Sequence, residues 1–149
     1  MKENIIVAFI SCLITSYVWA EVIPREKEVE FVEVVRVEKE QVHWDKLIEA
    51  IIWRESKGDD KAVNHKTNAV GCMQITPIYL KQCNKIAGHN KYKLSDRYSR
   101  KKSIEMFKLY QKHFNPNKDL HLAIKLHNPR ANYSYHRDIE KKYKDLINK

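Results

Sequence analysis

Glycine and proline are scarce in this chain, three and four in 149 residues. Strong alternation of apolar and polar residues is confined to the region before residue 45, so a sheet-based domain is excluded after it. Cysteine is nearly absent as well. Of three cysteines, Cys12 lies in an N-terminal apolar stretch, leaving Cys72 and Cys83. Two thiols exclude a multi-bridge disulfide scaffold, and the chain is long enough to bury a core without staples. No internal repeat or low-complexity tract occurs. The histidines show no i, i+4 pairing, so no metal site is expected. What these absences leave is a single, mostly α domain.

What is present begins with an apolar run, Ile5 to Trp19, preceded by Lys2 and followed by Val18-Trp19-Ala20 with small residues at −3 and −1. Residues 1–20 read as a secretory signal peptide. The rival reading is a retained anchor, but the run is short against the ~20 residues that cross a bilayer. Either way the folded part is expected outside the cytoplasm, in the periplasm or cell envelope. Residues 21–44 carry net charge −3 and residues 45–149 net +12. The alternation of Val and Phe with Glu, Lys and Arg in residues 21–43 suits an edge strand or an extended tether; with too few apolar residues to fold alone, it is read as a tether. The basic remainder suits a polyanionic partner such as cell wall or membrane surface, or else only solubility. Export argues against nucleic acid.

From residue 44 the punctuation is helical. Trp44, Leu47, Ile48, Ile51 and Ile52 fall at i, i+3, i+4, i+7 and i+8, with Asp45 as candidate N-cap and Gly58 as candidate stop. Residues 59–69 read as a polar loop or short ribbon. Thr76-Pro77 opens a helix that Gly88 ends. A third helix starts near Ser99 or Arg100 and stops at Asn115-Pro116. Asp119 caps a short fourth with Leu120, Ala123, Ile124 and His127 on one face, and residues 134–148 form a fifth.

The next place on the first stripe, i+11, is Glu55. A carboxylate carried into an apolar wall loses hydration, which raises its pKa and favours the protonated form a general acid needs. The plain alternative is a solvated residue at a frayed last turn, paired with Arg54 or Lys57.

Glu55-Ser56, then Asn68-Ala69-Val70-Gly71-Cys72-Met73-Gln74-Ile75, then Ala123 to His127-Asn128 and Tyr135 resemble the soluble lytic transglycosylase, lysozyme-like domain. That family's pattern is Glu-Ser, Gly-x-Met-Gln-Ile, and an Ala-x-x-x-aromatic-Asn turn followed by Tyr. The resemblance covers roughly residues 44 to 145 and implies about five helices around a glycan-binding cleft. It implies cleavage of the β-1,4 bond between N-acetylmuramic acid and N-acetylglucosamine in peptidoglycan. The equivalent of Glu55 would protonate the leaving oxygen, then take a proton from the muramic acid's own hydroxyl as a 1,6-anhydro ring closes. The attacking group belongs to the substrate, so the second carboxylate of ordinary glycosidases is not required.

The resemblance assigns substrate-binding roles to Ser56, Gly71, Met73, Gln74, Asn128 and Tyr135. Each has a plainer alternative: Ser56 as a helix-end residue, Gly71 as a turn glycine, Met73 as core or groove wall, and Tyr133 as a competitor for Tyr135. Gln74 is expected to reach its amide into the groove. The chain departs from the pattern at His127, where Tyr or Trp is usual, and at Pro129-Arg130, where glycine is usual; proline forbids a glycine turn's shape. Cys72 and Cys83 are either a bridge or two buried thiols. The expected partner is the glycan strand, met by a monomer without a cofactor, in the setting of an envelope-spanning machine or a phage particle. A hydrolytic muramidase and a non-catalytic wall-binding module stay open beside the transglycosylase.

Overall fold

The stripe on residues 44–52 folds as drawn. A computed structural model describes residues 42–149, and the expectations for residues 1–20 and 21–41 lie outside the described residues. Helix α1 spans Trp44–Ser56 and buries Leu47, Ile48, Ala50, Ile51 and Ile52. Its N-cap position is held by His43, not Asp45, and the first helical bond runs from Leu47 N–H to His43 O. Asp45 sits inside the first turn, where an anion suits the helix dipole, with its carboxylate 3.1 Å from Lys108 Nζ. The helix ends with Lys57, rather than Gly58, in the left-handed C-cap position (φ 56°).

A two-stranded antiparallel ribbon follows, β1 (Val63–Asn64) against β2 (Ala69–Val70). Helix α2 (Pro77–Ala87) starts on Thr76, whose hydroxyl accepts from Tyr79 N–H, and stops at Gly88. A 3₁₀ turn at Leu94–Tyr98 leads to α3 (Arg100–Phe114), capped by Ser99. Helix α4 (Leu120–His127) is capped by the Asp119 carboxylate, and α5 (Tyr133–Ile147) by the Asn132 side chain.

The packing explains the order. Helix α1 lies along α5, α2 along α3, and the short α4 touches both α3 and α5. Two bonds fix α1 and α5 as antiparallel: His43 N–H donates to the Tyr143 hydroxyl at one end, and the Tyr135 hydroxyl donates to Glu55 at the other. Leu47, Ile51, Met73, Met106, Phe107, Ile124 and Ile139 are sealed from solvent between these layers. Burial of such a side chain contributes about 1.5–3 kcal/mol, so this core supplies most of what orders the chain. Cys72 and Cys83 are both buried and free; burial pushes Cys72 up to about 11 and Cys83 up to about 12. They pack as small apolar groups, and no bridge joins them.

Polar burial is concentrated in two braces. Arg97, almost wholly buried, donates from Nη1 to Asn68 O (2.7 Å) and Ile75 O (3.1 Å), and from Nε to Leu94 O (3.0 Å). It thereby ties the residue before β2 to the end of the loop that leads from β2 into α2. Gln111 and Asn115 form the second brace, tying the end of α3 to Ala123 O and to Asp119. A buried polar group without partners is costly, and each of these has them.

Candidate active site

Glu55 is placed by the register of α1, one turn beyond Ile51 and Ile52, and its side chain is 16 % exposed. The plain alternative for it does not hold. Arg54 pairs instead with Asp138, Nε to Oδ2 3.2 Å, and Lys57 Nζ sits over the Trp53 ring. Glu55 is met by two side chains from the far end of the sequence. The Tyr135 hydroxyl, from the first turn of α5, donates to Oε1. His127 Nε2, from the last turn of α4, lies 3.6 Å from the same oxygen, an ion-pair distance longer than a hydrogen bond. The His127 side chain is 3 % exposed and wedged edge-on between Tyr79 and Phe107.

These neighbours reverse the expected sign of the carboxyl's shift. Burial raises the Glu55 pKa, as the sequence suggested, but His127, the Tyr135 hydrogen bond and the Arg54 charge together outweigh it, and the group sits below the ordinary 4.5. In the free protein it is therefore held as an anion, not as the protonated acid expected. Tyr135 is shifted the other way: burial, then the Glu55 charge beside it, push its pKa well up, so the phenol keeps its proton and stays a donor.

Glu55 opens on a groove of ≈ 590 Å³ whose other walls are Ala62, Val63, Asn64, His65, Lys66 and Gln74. A larger pocket, ≈ 840 Å³, lies at the opposite end of α1 around Val42–Lys46 and Lys108–Lys118. Its single carboxylate, Asp45, is solvated and paired with Lys108, whereas the smaller groove holds a shielded one. Glu55 is the sole acidic side chain lining that groove among the described residues. Asp59 accepts from Lys61 N–H within its own loop, and Asp60 pairs with Arg100 at 3.1 Å.

The remaining motif residues divide. Ser56 donates to Cys72 O (2.9 Å) and accepts from Gly58 N–H (3.1 Å), so it ties the end of α1 to the motif loop. Gly71 faces protein backbone: a Cβ there would stand 2.0 Å from Arg97 O, and its φ is +78°. Met73 is completely buried, which removes it from contact with a glycan and makes it support for the loop. Gln74 lines the groove in a left-handed conformation (φ 47°). Its amide nitrogen is spent on Gly71 O (3.0 Å) and Ala62 O (3.3 Å), so of the amide expected in the groove only the oxygen remains unpaired. The oxygen, which takes no partner among the described residues, is the end left for a ligand. A non-glycine residue held at positive φ costs roughly 1 kcal/mol or more, a strain the turn bond Gln74 N–H to Gly71 O (3.0 Å) helps to sustain. Asn128 caps α4 and approaches the Tyr135 hydroxyl. Tyr133 is 81 % exposed and stands clear, so Tyr135 is the tyrosine at the carboxylate.

The ribbon residues 62–66 were not singled out in the sequence; nothing in their polar composition distinguishes a groove wall from a surface loop. Arg97 was missed for the same reason, lying in a run that reads as solvated.

A helical domain in which a glutamate in the last turn of α1 opens on a groove beside a short ribbon is a lysozyme-like domain. The model of the transglycosylase SLT domain family matches residues 34–132, and the chain belongs to that family. At family level this means transglycosylase-type activity on peptidoglycan. The match stops three residues before Tyr135, which the fold nonetheless brings onto Glu55. No curated protein and no solved structure matches the chain.

Proposed function

We propose that this protein is a peptidoglycan lytic transglycosylase that cleaves the bond between N-acetylmuramic acid and N-acetylglucosamine, with Glu55 as its one acid and base. The observation that carries this is a mostly buried carboxylate at a groove where, among the described residues, no acidic partner faces it. Two-carboxylate glycosidases need a second group to attack or to activate water. Here the muramic acid's primary hydroxyl attacks, which forms the 1,6-anhydro ring and returns to Glu55 the proton it gave the leaving oxygen. The proton cycle closes on one residue.

Glu55 must first gain that proton. A glycan filling the groove displaces water and strengthens the burial effect, the largest single influence on this group and the one that raises its pKa. Tyr135, which keeps its proton, positions the carboxylate. The Gln74 oxygen accepts from an acetamido N–H or a sugar hydroxyl. The protein acts on the wall outside the cytoplasm, where a domain of net charge +12 over residues 45–149 is drawn to polyanions.

Digestion of purified sacculi followed by mass spectrometry tests the reading. Anhydro-ended muropeptides are expected; reducing ends would make it a hydrolase, and no soluble fragments a binding module.

His127→Phe provides a second check. Phenylalanine keeps the edge contacts with Tyr79 and Phe107 but removes an influence that lowers the Glu55 pKa. Because the reaction needs protonated Glu55, the alkaline limb of the pH–rate profile is expected to move to higher pH. An unmoved limb, or a shift to lower pH, would mean that His127 does not tune the acid.

A further inference from the structure

Two histidines and a carboxylate converge where α4 meets α5, outside the set of residues that line the groove. His136 and Glu140 are four apart on α5 and so share one face. His121, in the first turn of α4, faces them, and the nearest donor atoms of the three all lie within 4.8 Å of one another. The histidine-only spacing rule applied to the sequence overlooks this group, because the i, i+4 pair is His with Glu and the third member comes from another helix.

Geometry separates an ordinary ion pair from a shared ligand set. His121 Nδ1 lies 3.2 Å from Glu140 Oε1. That oxygen is shielded from solvent and, beyond this ion-pair approach, accepts no well-aligned hydrogen bond among the described residues. Zinc binds imidazole nitrogen and carboxylate oxygen at roughly 2.0–2.2 Å, so two tetrahedral ligands of one ion stand roughly 3.3–3.5 Å apart. The His121–Glu140 pair is within about 0.1 Å of that spacing, and His136, whose ligand atom lies within 4.8 Å of the other two, joins it with a displacement of at most about 1.5 Å. Its ring is tilted 31° from that of His121, with centroids 6.3 Å apart.

We propose that His121, His136 and Glu140 bind one divalent transition-metal ion of the zinc class, with the fourth position left to water. Such an ion clips α4 to α5. An isolated helix of eight residues is marginal in water, and α4 is the element that presents His127 and Asn128, while α5 presents Tyr135. The ion therefore braces the two supports of Glu55 without touching the groove.

Titration of the full chain with Zn²⁺ by calorimetry, and with Co²⁺ by visible absorbance, tests this independently of any glycan cleavage. One saturable equivalent with the absorbance of a tetrahedral N/O site is expected. Each of His121→Ala, His136→Ala and Glu140→Gln is expected to weaken it at least ~10-fold, and the His121→Ala/His136→Ala pair to abolish it. The His121 side chain is 77 % exposed, so that variant retains its fold, checked by circular dichroism. Absence of saturable binding, or binding unchanged in the paired variant, overturns the site and leaves an ion pair.

Discussion

Glu55→Gln is expected to fold as the native chain does and to digest sacculi at least ~100-fold more slowly, the scale of a lost general acid. Glutamine has the shape of the carboxyl it replaces and still accepts from Tyr135, but it has no proton to give or recover. A smaller effect appears in stability. A carboxyl whose pKa is lowered on folding adds stability above its ordinary value of 4.5, lost as pH falls through the lowered value. Near neutral pH the variant lacks that contribution and melts slightly earlier; at low pH the difference closes. Thermal melts at both pH values and a digestion time course measure both effects. Substantial residual digestion would move the catalytic role to another residue.

Gly71→Ala is expected to have the largest effect on the fold. Two separate penalties act at this position. A φ of +78° places an alanine in the left-handed region, at about 1 kcal/mol. The added Cβ would also stand 2.0 Å from Arg97 O and 3.1 Å from Arg97 C, and backbone cannot yield as a flexible side chain does. Overpacking of this kind costs about 1–3 kcal/mol. Together they correspond to a fall in Tm of roughly 10 °C or more for a domain of this size. The loop that Arg97 clamps also carries Gln74, so glycan cleavage should fall along with the melting temperature. A variant with an unchanged melt would show that Gly71 and the Arg97 backbone are not in close contact.

The elements written in local chemistry were legible beforehand. Thr76-Pro77, Asp119 and the apolar stripe of α1 each encode their structure within a few residues, and each appears where read. The site was half legible. Glu55 stood out because it interrupts a stripe, and that needs only local spacing. Its charge state did not, because two of the groups that offset its burial, His127 and Tyr135, lie 72 and 80 residues further along, on α4 and α5. Arg97, Gln111 and Asn115 were invisible for a related reason. Polar side chains read as surface until the carbonyls they satisfy are known: those of Arg97 and Gln111 come from other segments, and that of Asn115 from the turn just beyond its own helix. Met73 and Gly71 show the converse: motif residues credited with ligand contact serve the loop's own packing.

The antiparallel lashing of α1 to α5 also sets the time at which the proposed site is complete during synthesis. An emerging chain presents its glutamate early, but the phenol that steadies it arrives eighty residues later. Until α5 has been synthesised and has docked, Glu55 lacks its Tyr135 partner, so on the function proposed here a copy without α5 is expected to digest the wall poorly.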